Sequence, residues 1–349
     1  MKIVEIADRR VGPGYPCIIV AEAGVNHNGS LTMARRLVDA AALAGADAIK
    51  FQTFRAGRLA TKNAPKARYQ LQTTAVEESQ YEMLRRLELP SEAYPELKSY
   101  CKEQKILFLS TPFDEESADL LDKLGVGAFK IGSGEITNLP FLDYVAQKRK
   151  PIILSTGMSS LGEVESAVDT IREAGNLDLI LLHCVSNYPA NHADVNLRAM
   201  NTMQVAFGVP VGYSDHTEGI ELSLAAAALG ACVIEKHFTI DKNSPGPDHK
   251  ASLEPGELAT LIKGVRLVES ALGDGQKKPV AAELSTAAVA RKSLVAARDI
   301  LAGTVLTEEC IAIKRPGTGL PPTMRPYLIG RKARTNIPED TLFDFRMLE

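Results

Sequence analysis

Between residues 17 and 272 the chain repeats one pattern eight times: a short apolar, β-rich run followed by a longer segment of helical periodicity. The runs are 17–23 (CIIVAEA), 46–52, 106–111, 128–132, 151–156, 179–184, 209–214 and 232–238. Near-continuous apolar strands alternating with helices are what a parallel sheet covered on both faces requires. The segment 30–44 opens on Ser30, a natural N-cap, stops at Gly45, and spaces Leu31, Ala34, Leu37, Val38 and Ala41 along one helical face. Helices are also expected over 91–104, 115–124, 138–147, 161–174, 218–229 and 255–272, with the weakest pattern over 194–206. Eight strand–helix units over about 255 residues match a (β/α)8 TIM barrel. An open doubly wound sheet would carry a glycine-rich phosphate turn after its first strand. Here that strand runs into EAGVNHNG, which has no such turn.

The barrel is expected over 1–273. A polar stretch, GDGQKKPVAAELSTA, suggests a linker over 274–287, and a separate small β-rich domain follows over 288–349 with short runs SLVAA, CIAIK and TLFDF. The segment 53–90, with Lys62, Lys66 and Arg68, is long for a strand–helix connection, and loops of that length are usually functional or disordered.

Composition narrows the function classes. Forty Lys and Arg stand against 43 Asp and Glu, and only 5% of residues are aromatic, with no Trp. Nucleic-acid binding normally needs a basic face or stacking platforms, so neither class of nucleic acid is expected as a partner. Five cysteines without CxxC spacing predict reduced thiols in a cytoplasmic protein, with no disulfide framework. The opening MKIVEIADRR meets charges before any apolar run, so no secretory leader is expected, and no stretch is apolar enough to span a membrane.

Active sites of such barrels gather at the C-terminal ends of the strands, and here those ends are polar in every unit. They carry Glu22; Lys50 and Gln52; Ser110 and Thr111; Lys130 and Ser133; Ser155 and Thr156; His183, Ser186, Asn187 and Tyr188; Ser214, Asp215 and His216; Glu235, Lys236 and His237. Strand alternation puts Lys50 with Gln52 on one face, and Glu235 with His237. Charges inside a barrel are costly unless a ligand, metal or partner compensates them. His216 and His237 end adjacent strands, where two imidazoles completed by water and substrate oxygens would suit Mn²⁺ or a similar ion, although a pair of structural histidines has the same spacing. Lys50 and Lys130, among hydroxyls, read as a site for a phosphorylated anion, as a Schiff-base lysine, or as two solvated lysines.

These residues sit in strings that resemble the bacterial sialic acid synthase family, N-acetylneuraminate synthase and its legionaminic acid relatives. The strings are AEAGVNHNGS (21–30), KFQTF (50–54), APKARYQ (64–70), STPFDEES (110–117), KIGSGE (130–135), ILSTGM (153–158), LLHC (181–184), GYSDHT (212–217), EKHFT (235–239), SPGPDH (244–249), KRPGTG (314–319) and GRKA (330–333). The resemblance implies a TIM barrel followed by an antifreeze-like (SAF) domain, in a domain-swapped homodimer. It implies condensation of phosphoenolpyruvate with an N-acetylated amino sugar, assisted by a divalent metal, Mn²⁺ first, with Mg²⁺ or Co²⁺ as substitutes. N-acetylmannosamine is the first acceptor expected, giving N-acetylneuraminate; 2,4-diacetamido-2,4,6-trideoxymannose, giving legionaminate, is the alternative. Carried over, the metal ligands are His216 and His237, and phosphoenolpyruvate meets Lys50, Thr111, Lys130, Ser133, Ser155 and Ser214. The sugar meets Glu22, Gln52, Tyr188 and Asp248, with Arg315 from the other subunit. Glu22 is the candidate for proton handling. Ser186 departs from the family, which often has Asn there, so that contact bears on the choice of sugar. A Schiff-base aldolase and a non-catalytic sugar-binding or ice-binding protein are the rival readings.

Overall fold

The computed structural model describes residues 2–67, 69–74 and 77–349, in two compact units, Met1–Gly273 and Asp274–Glu349. In the first unit eight parallel strands form the sheet: β3 (Ile18–Gly24), β4 (Ala48–Thr53), β5 (Leu107–Pro112), β6 (Phe129–Ile131), β7 (Ile152–Ser155), β8 (Leu179–Cys184), β9 (Val211–Asp215) and β10 (Val233–His237). The order β5-β4-β3-β10-β9-β8-β7-β6 wraps the sheet into a nearly closed barrel, with β5 and β6 side by side at the seam. The first and last strands pair, with His237 opposite Glu22, which is the closure a barrel needs.

An antiparallel hairpin, β1 (Val4–Ile6) and β2 (Arg9–Val11), precedes the barrel. Its buried Val4, Ile6 and Val11 share a core with the lumen residues Ile18, Val20, Ala48, Leu109, Ile153, Ile180, Leu182 and Val233, so it plugs the N-terminal end. The sequence pattern did not announce this hairpin, because three-residue strands are too short to show a period.

Helices α1 (Leu31–Ala44), α4 (Ala93–Glu103), α5 (Glu115–Lys123), α6 (Leu139–Ala146), α7 (Leu161–Glu173), α8 (Ala199–Phe207), α9 (Glu221–Ala228) and α10 (Pro255–Leu272) cover the outside. The ends of α1 follow the local chemistry: the Ser30 hydroxyl accepts from the Met33 N–H, and Gly45 closes the helix at φ 88°. The weak pattern near 194–206 is a 3₁₀ turn at His192–Asp194 followed by α8. The long connection after β4 is not a bare loop. It holds α2 (Ala56–Leu59), a 3₁₀ turn at Gln70–Gln72 and α3 (Gln80–Leu87), whose Met83 and Leu87 pack on Val25 and Phe54. Arg68 lies outside the described residues, whereas Lys66 is buried beside Thr74 and Glu78.

In the second unit, part of the stretch read as a linker over 274–287 is helical, because α11 (Glu283–Ala290) begins within it. Strands β11 (Ser293–Ala296) and β12 (Ile311–Lys314) pair antiparallel. The expected β content is only partly realised. TLFDF contributes one isolated bridge, Val295 to Leu342, since the remaining runs are turn-broken and pair residue by residue. A core of Leu294, Ile300, Leu306, Leu328, Ile337 and Phe343 holds the unit. Among the described residues no helix is long and apolar enough to cross a membrane, and all five cysteines are free and buried.

Candidate active site

Alternation turns each strand's inner row from apolar at the bottom to polar at the top. Ile18 and Val20 lead to Glu22, Ala48 to Lys50 and Gln52, Leu109 to Thr111, Ile153 to Ser155, and Val233 to Glu235 and His237. The polar ends meet in a cavity of about 330 Å³, a size typical of small-molecule sites. It is lined by Glu22, Lys50, Gln52, Thr111, Lys130, Ser133, Ser155, Ser186, Tyr188, Ser214, His216, His237 and Asp248, so the predicted residues of the first unit come together. Arg315 stands in the second unit, exposed, its Nε donating to the Ala290 carbonyl at 3.1 Å.

Two buried lysines and two buried carboxylates form the centre. Lys50 Nζ lies 2.8 Å from Glu22 Oε2 and donates to Thr111 Oγ1 at 3.1 Å. Lys130 Nζ donates to Ser155 Oγ at 2.8 Å. Glu235 joins them, 3.7 Å from Lys50 and 3.5 Å from Lys130, and accepts from Ser214 Oγ at 3.0 Å. Burial alone would raise both carboxyls. For Glu22 it does, and its pKa stays above the usual range despite Lys50; for Glu235 the two lysines and Ser214 outweigh burial and hold it below. Burial opposes the charge on Lys50, but Glu22 and Glu235 keep it a cation.

The imidazoles lie beside this cluster, ring centroids 5.5 Å apart. His216 Nδ1 donates to the Val185 carbonyl at 2.7 Å; since a carbonyl only accepts, that nitrogen carries the proton and Nε2 keeps its lone pair. Burial holds His216 neutral, its pKa lowered to about 4, and pushes His237 down as well. His237 Nδ1 is buried with no hydrogen-bond partner, an unsatisfied atom aimed at nothing the chain supplies. Two neutral imidazoles, one with an unpartnered nitrogen and one whose Nε2 lies 3.4 Å from the Ser214 hydroxyl, fit a divalent cation. No group of three or more His, Cys, Asp or Glu that could hold a metal ion exists among the described residues.

Aromatic rings wall the site. Tyr188 packs 4.2 Å from His216 and 4.9 Å from Tyr69, which reaches in from the long insertion. On the other wall Ser133 accepts from the Gly157 N–H at 2.9 Å. A Cβ at Gly157 would stand 2.3 Å from Ser186 Oγ and 2.9 Å from both Cys184 Sγ and Ser133 Oγ, so only glycine fits there. Burial raises the Asp248 carboxyl to about 6, with Lys50 opposing.

Some polar strand-end residues do not reach the cavity. Asp215 and Lys236 point to the helix layer, and His183 bonds the Val195 carbonyl at 2.6 Å. Conversely, sequence reasoning assigned no role to Glu235, although its parity with His237 was visible, nor to Tyr69, whose partner ring is 119 positions away and carries no spacing signal.

Comparison with known proteins identifies the family. The NeuB family model matches residues 37–277 and the SAF domain model residues 291–349. The chain belongs to the NeuB family. An N,N'-diacetyllegionaminic acid synthase from Campylobacter jejuni is 51% identical, covering 93% of this chain and 98% of that protein. A second, from Legionella pneumophila, is 47% identical over 97% of this chain and 96% of its own. The crystal structure of an N-acetylneuraminic acid synthetase from Leptospira borgpetersenii in complex with citrate superposes with a TM-score of 0.73 at 36% identity, covering 82% of this chain and 95% of that one.

Proposed function

We propose that this NeuB-family chain condenses phosphoenolpyruvate with an N-acetylated amino sugar and water, forming a nonulosonic acid and releasing phosphate. The observation that carries the reading is the buried Lys50–Glu235–Lys130 bridge lying next to two neutral imidazoles. Lys50, Lys130 and the hydroxyls of Thr111, Ser133, Ser155 and Ser214 are fixed before substrate arrives, so they stabilise phosphate and carboxylate without reorganising. Carbon 3 of the enol ester bonds to the sugar's aldehyde carbon, water adds at carbon 2, and the C–O bond to phosphate breaks. His216 Nε2 and His237 Nδ1 would hold a divalent ion, Mn²⁺ first, which supplies Lewis-acid polarisation of a carbonyl. Glu22, whose carboxyl sits above the usual range, holds or gives a proton near neutral pH. Tyr69 and Tyr188 shield one side of the cavity from water.

Of the two acceptors, the diacetamido sugar leading to N,N'-diacetyllegionaminate is favoured, because the relatives at 51% and 47% identity are synthases of that product. We place the reaction in the cytoplasm of the cell, consistent with five free thiols. We also assign a homodimer in which Arg315 of one copy meets the sugar held by the other. A Schiff-base mechanism at Lys50 is disfavoured, since imine formation needs a neutral amine and Glu235, with Glu22 whenever it is ionised, keeps this one protonated.

The test is phosphate release from phosphoenolpyruvate with Mn²⁺ and a panel of acceptors. Release that depends on the metal, is fastest with the diacetamido sugar and leaves nothing trapped by borohydride is the expected result. Absence of phosphate release with every acceptor in the panel, or covalent trapping on Lys50 or Lys130, contradicts it.

A further inference from the structure

The alternation that aims Ser214, His216, Glu235 and His237 into the cavity aims the residues between them outward. Asp215 and Lys236 are opposite each other in the β9–β10 ladder and meet behind the sheet, Oδ2 to Nζ 2.9 Å, with side chains 0% and 1% exposed. Each immediately precedes one of the two histidines. Such a fully buried pair is a poor source of stability, because the desolvation of both charges offsets their attraction. Its hydrogen bonds show what it does instead.

Asp215 Oδ1 accepts from the Thr217 N–H at 2.9 Å, the Thr217 hydroxyl at 2.7 Å and the Tyr213 hydroxyl at 3.2 Å. Its Oδ2 accepts from the Ser223 hydroxyl of α9 at 2.6 Å. Lys236 Nζ donates to the Thr217 carbonyl, also at 2.6 Å. Both backbone groups of Thr217 are thereby held, one by each member of the pair. His216 is trapped between the ladder below and this anchored residue above, and its own carbonyl accepts from the Ala190 N–H at 2.8 Å. Lys236 ties the strand that carries His237 to the Thr217 carbonyl.

We propose that the Asp215–Lys236 pair is the positioning device for the two imidazoles: from the outer face of the sheet it sets the separation of His216 and His237 and so preorganises the cation site. The inference rests on the reading that these two histidines hold a divalent ion. Neither Asp215 nor Lys236 touches the cavity, so both act only through their neighbours. Groups that orient metal-binding histidines at one remove typically change metal affinity 10–100-fold when removed.

The experiment is calorimetric titration of Mn²⁺ into the full-length, substrate-free protein. The samples are wild type, the neutral double variant Asp215→Asn/Lys236→Met, the milder Ser223→Ala, and His216→Ala. The double variant is expected to stay folded, with its Mn²⁺ Kd raised about 10–100-fold and its kcat restored at saturating Mn²⁺. Ser223→Ala shifts the Kd in the same direction by less, and His216→Ala binds no Mn²⁺ at the site. A purely structural pair would lower the melting temperature and leave the Kd of the folded protein alone. A folded double variant with the wild-type Kd overturns the inference, and should that variant fail to fold, a wild-type Kd in Ser223→Ala does so. Equal Mn²⁺ uptake by wild type and His216→Ala overturns the cation site itself, and this inference with it.

Discussion

The lower and upper halves of the barrel lumen are equally buried and chemically opposite. Below, Ile18, Val20, Leu109, Ile153, Ile180 and Leu182 form one apolar cluster with the N-terminal hairpin. Above, two residues beyond the apolar Val20, Ala48, Ala128 and Val233 on their own strands, Glu22, Lys50, Lys130 and Glu235 are no more than 5% exposed, yet all four are ionisable. The lower layer yields about 1.5–3 kcal/mol for each large aliphatic side chain removed from water. The upper layer gives up that gain, because its charges roughly cancel one another's desolvation and are spent on holding a ligand. One scaffold thus separates stability from chemistry by height alone.

The largest effect expected from disturbing this division is on activity. Replacing the Glu22–Lys50 pair by neutral side chains of similar size, Glu22→Gln/Lys50→Met, should lower kcat/KM by about 10³-fold or more. The melting temperature should hold or rise, since no unpaired charge is left behind. A large loss of stability in thermal denaturation would place that pair with the lower layer. The opposite substitution, Ile180→Ala, should cost about 2–5 kcal/mol in denaturant unfolding through the cavity it opens. KM for phosphoenolpyruvate should not change in the protein that remains folded.

A smaller, pH-dependent effect sharpens the contrast. Asp248 keeps its proton up to about pH 6 because it is buried, against an ordinary value of 3.8. Between those two values the folded chain binds a proton that the unfolded chain has lost, so stability falls as pH rises through the window and stays lower above it. Asp248→Asn should therefore be about 2–3 kcal/mol more stable than wild type at pH 7 or above, with the gap closing toward pH 4. Denaturation midpoints at the two pH values check it, and a gap that is constant with pH contradicts it.

What the sequence made legible was whatever has a period or a strand-end position. The eight units, the caps at Ser30 and Gly45, and the lumen-facing parity of Lys50, Lys130, His216 and His237 all rest on local spacing. The same parity pointed to Glu235, but nothing local reveals that a carboxylate bridges two lysines on other strands. It also sends Asp215 and Lys236 outward, a distinction lost when strand-end polarity is read without alternation. Tyr69 against Tyr188, the hairpin that plugs the barrel and the helices inside 53–90 depend on tertiary packing of short segments, which leave no periodic trace.

The central claim is that the charged layer exists to hold a phosphorylated anion. Calorimetric titration of phosphoenolpyruvate into the wild type and into Lys50→Met/Lys130→Met, both in Mn²⁺, tests it most directly. Binding by the wild type and none by the folded double variant is the predicted result. Equal binding by the two proteins would contradict it.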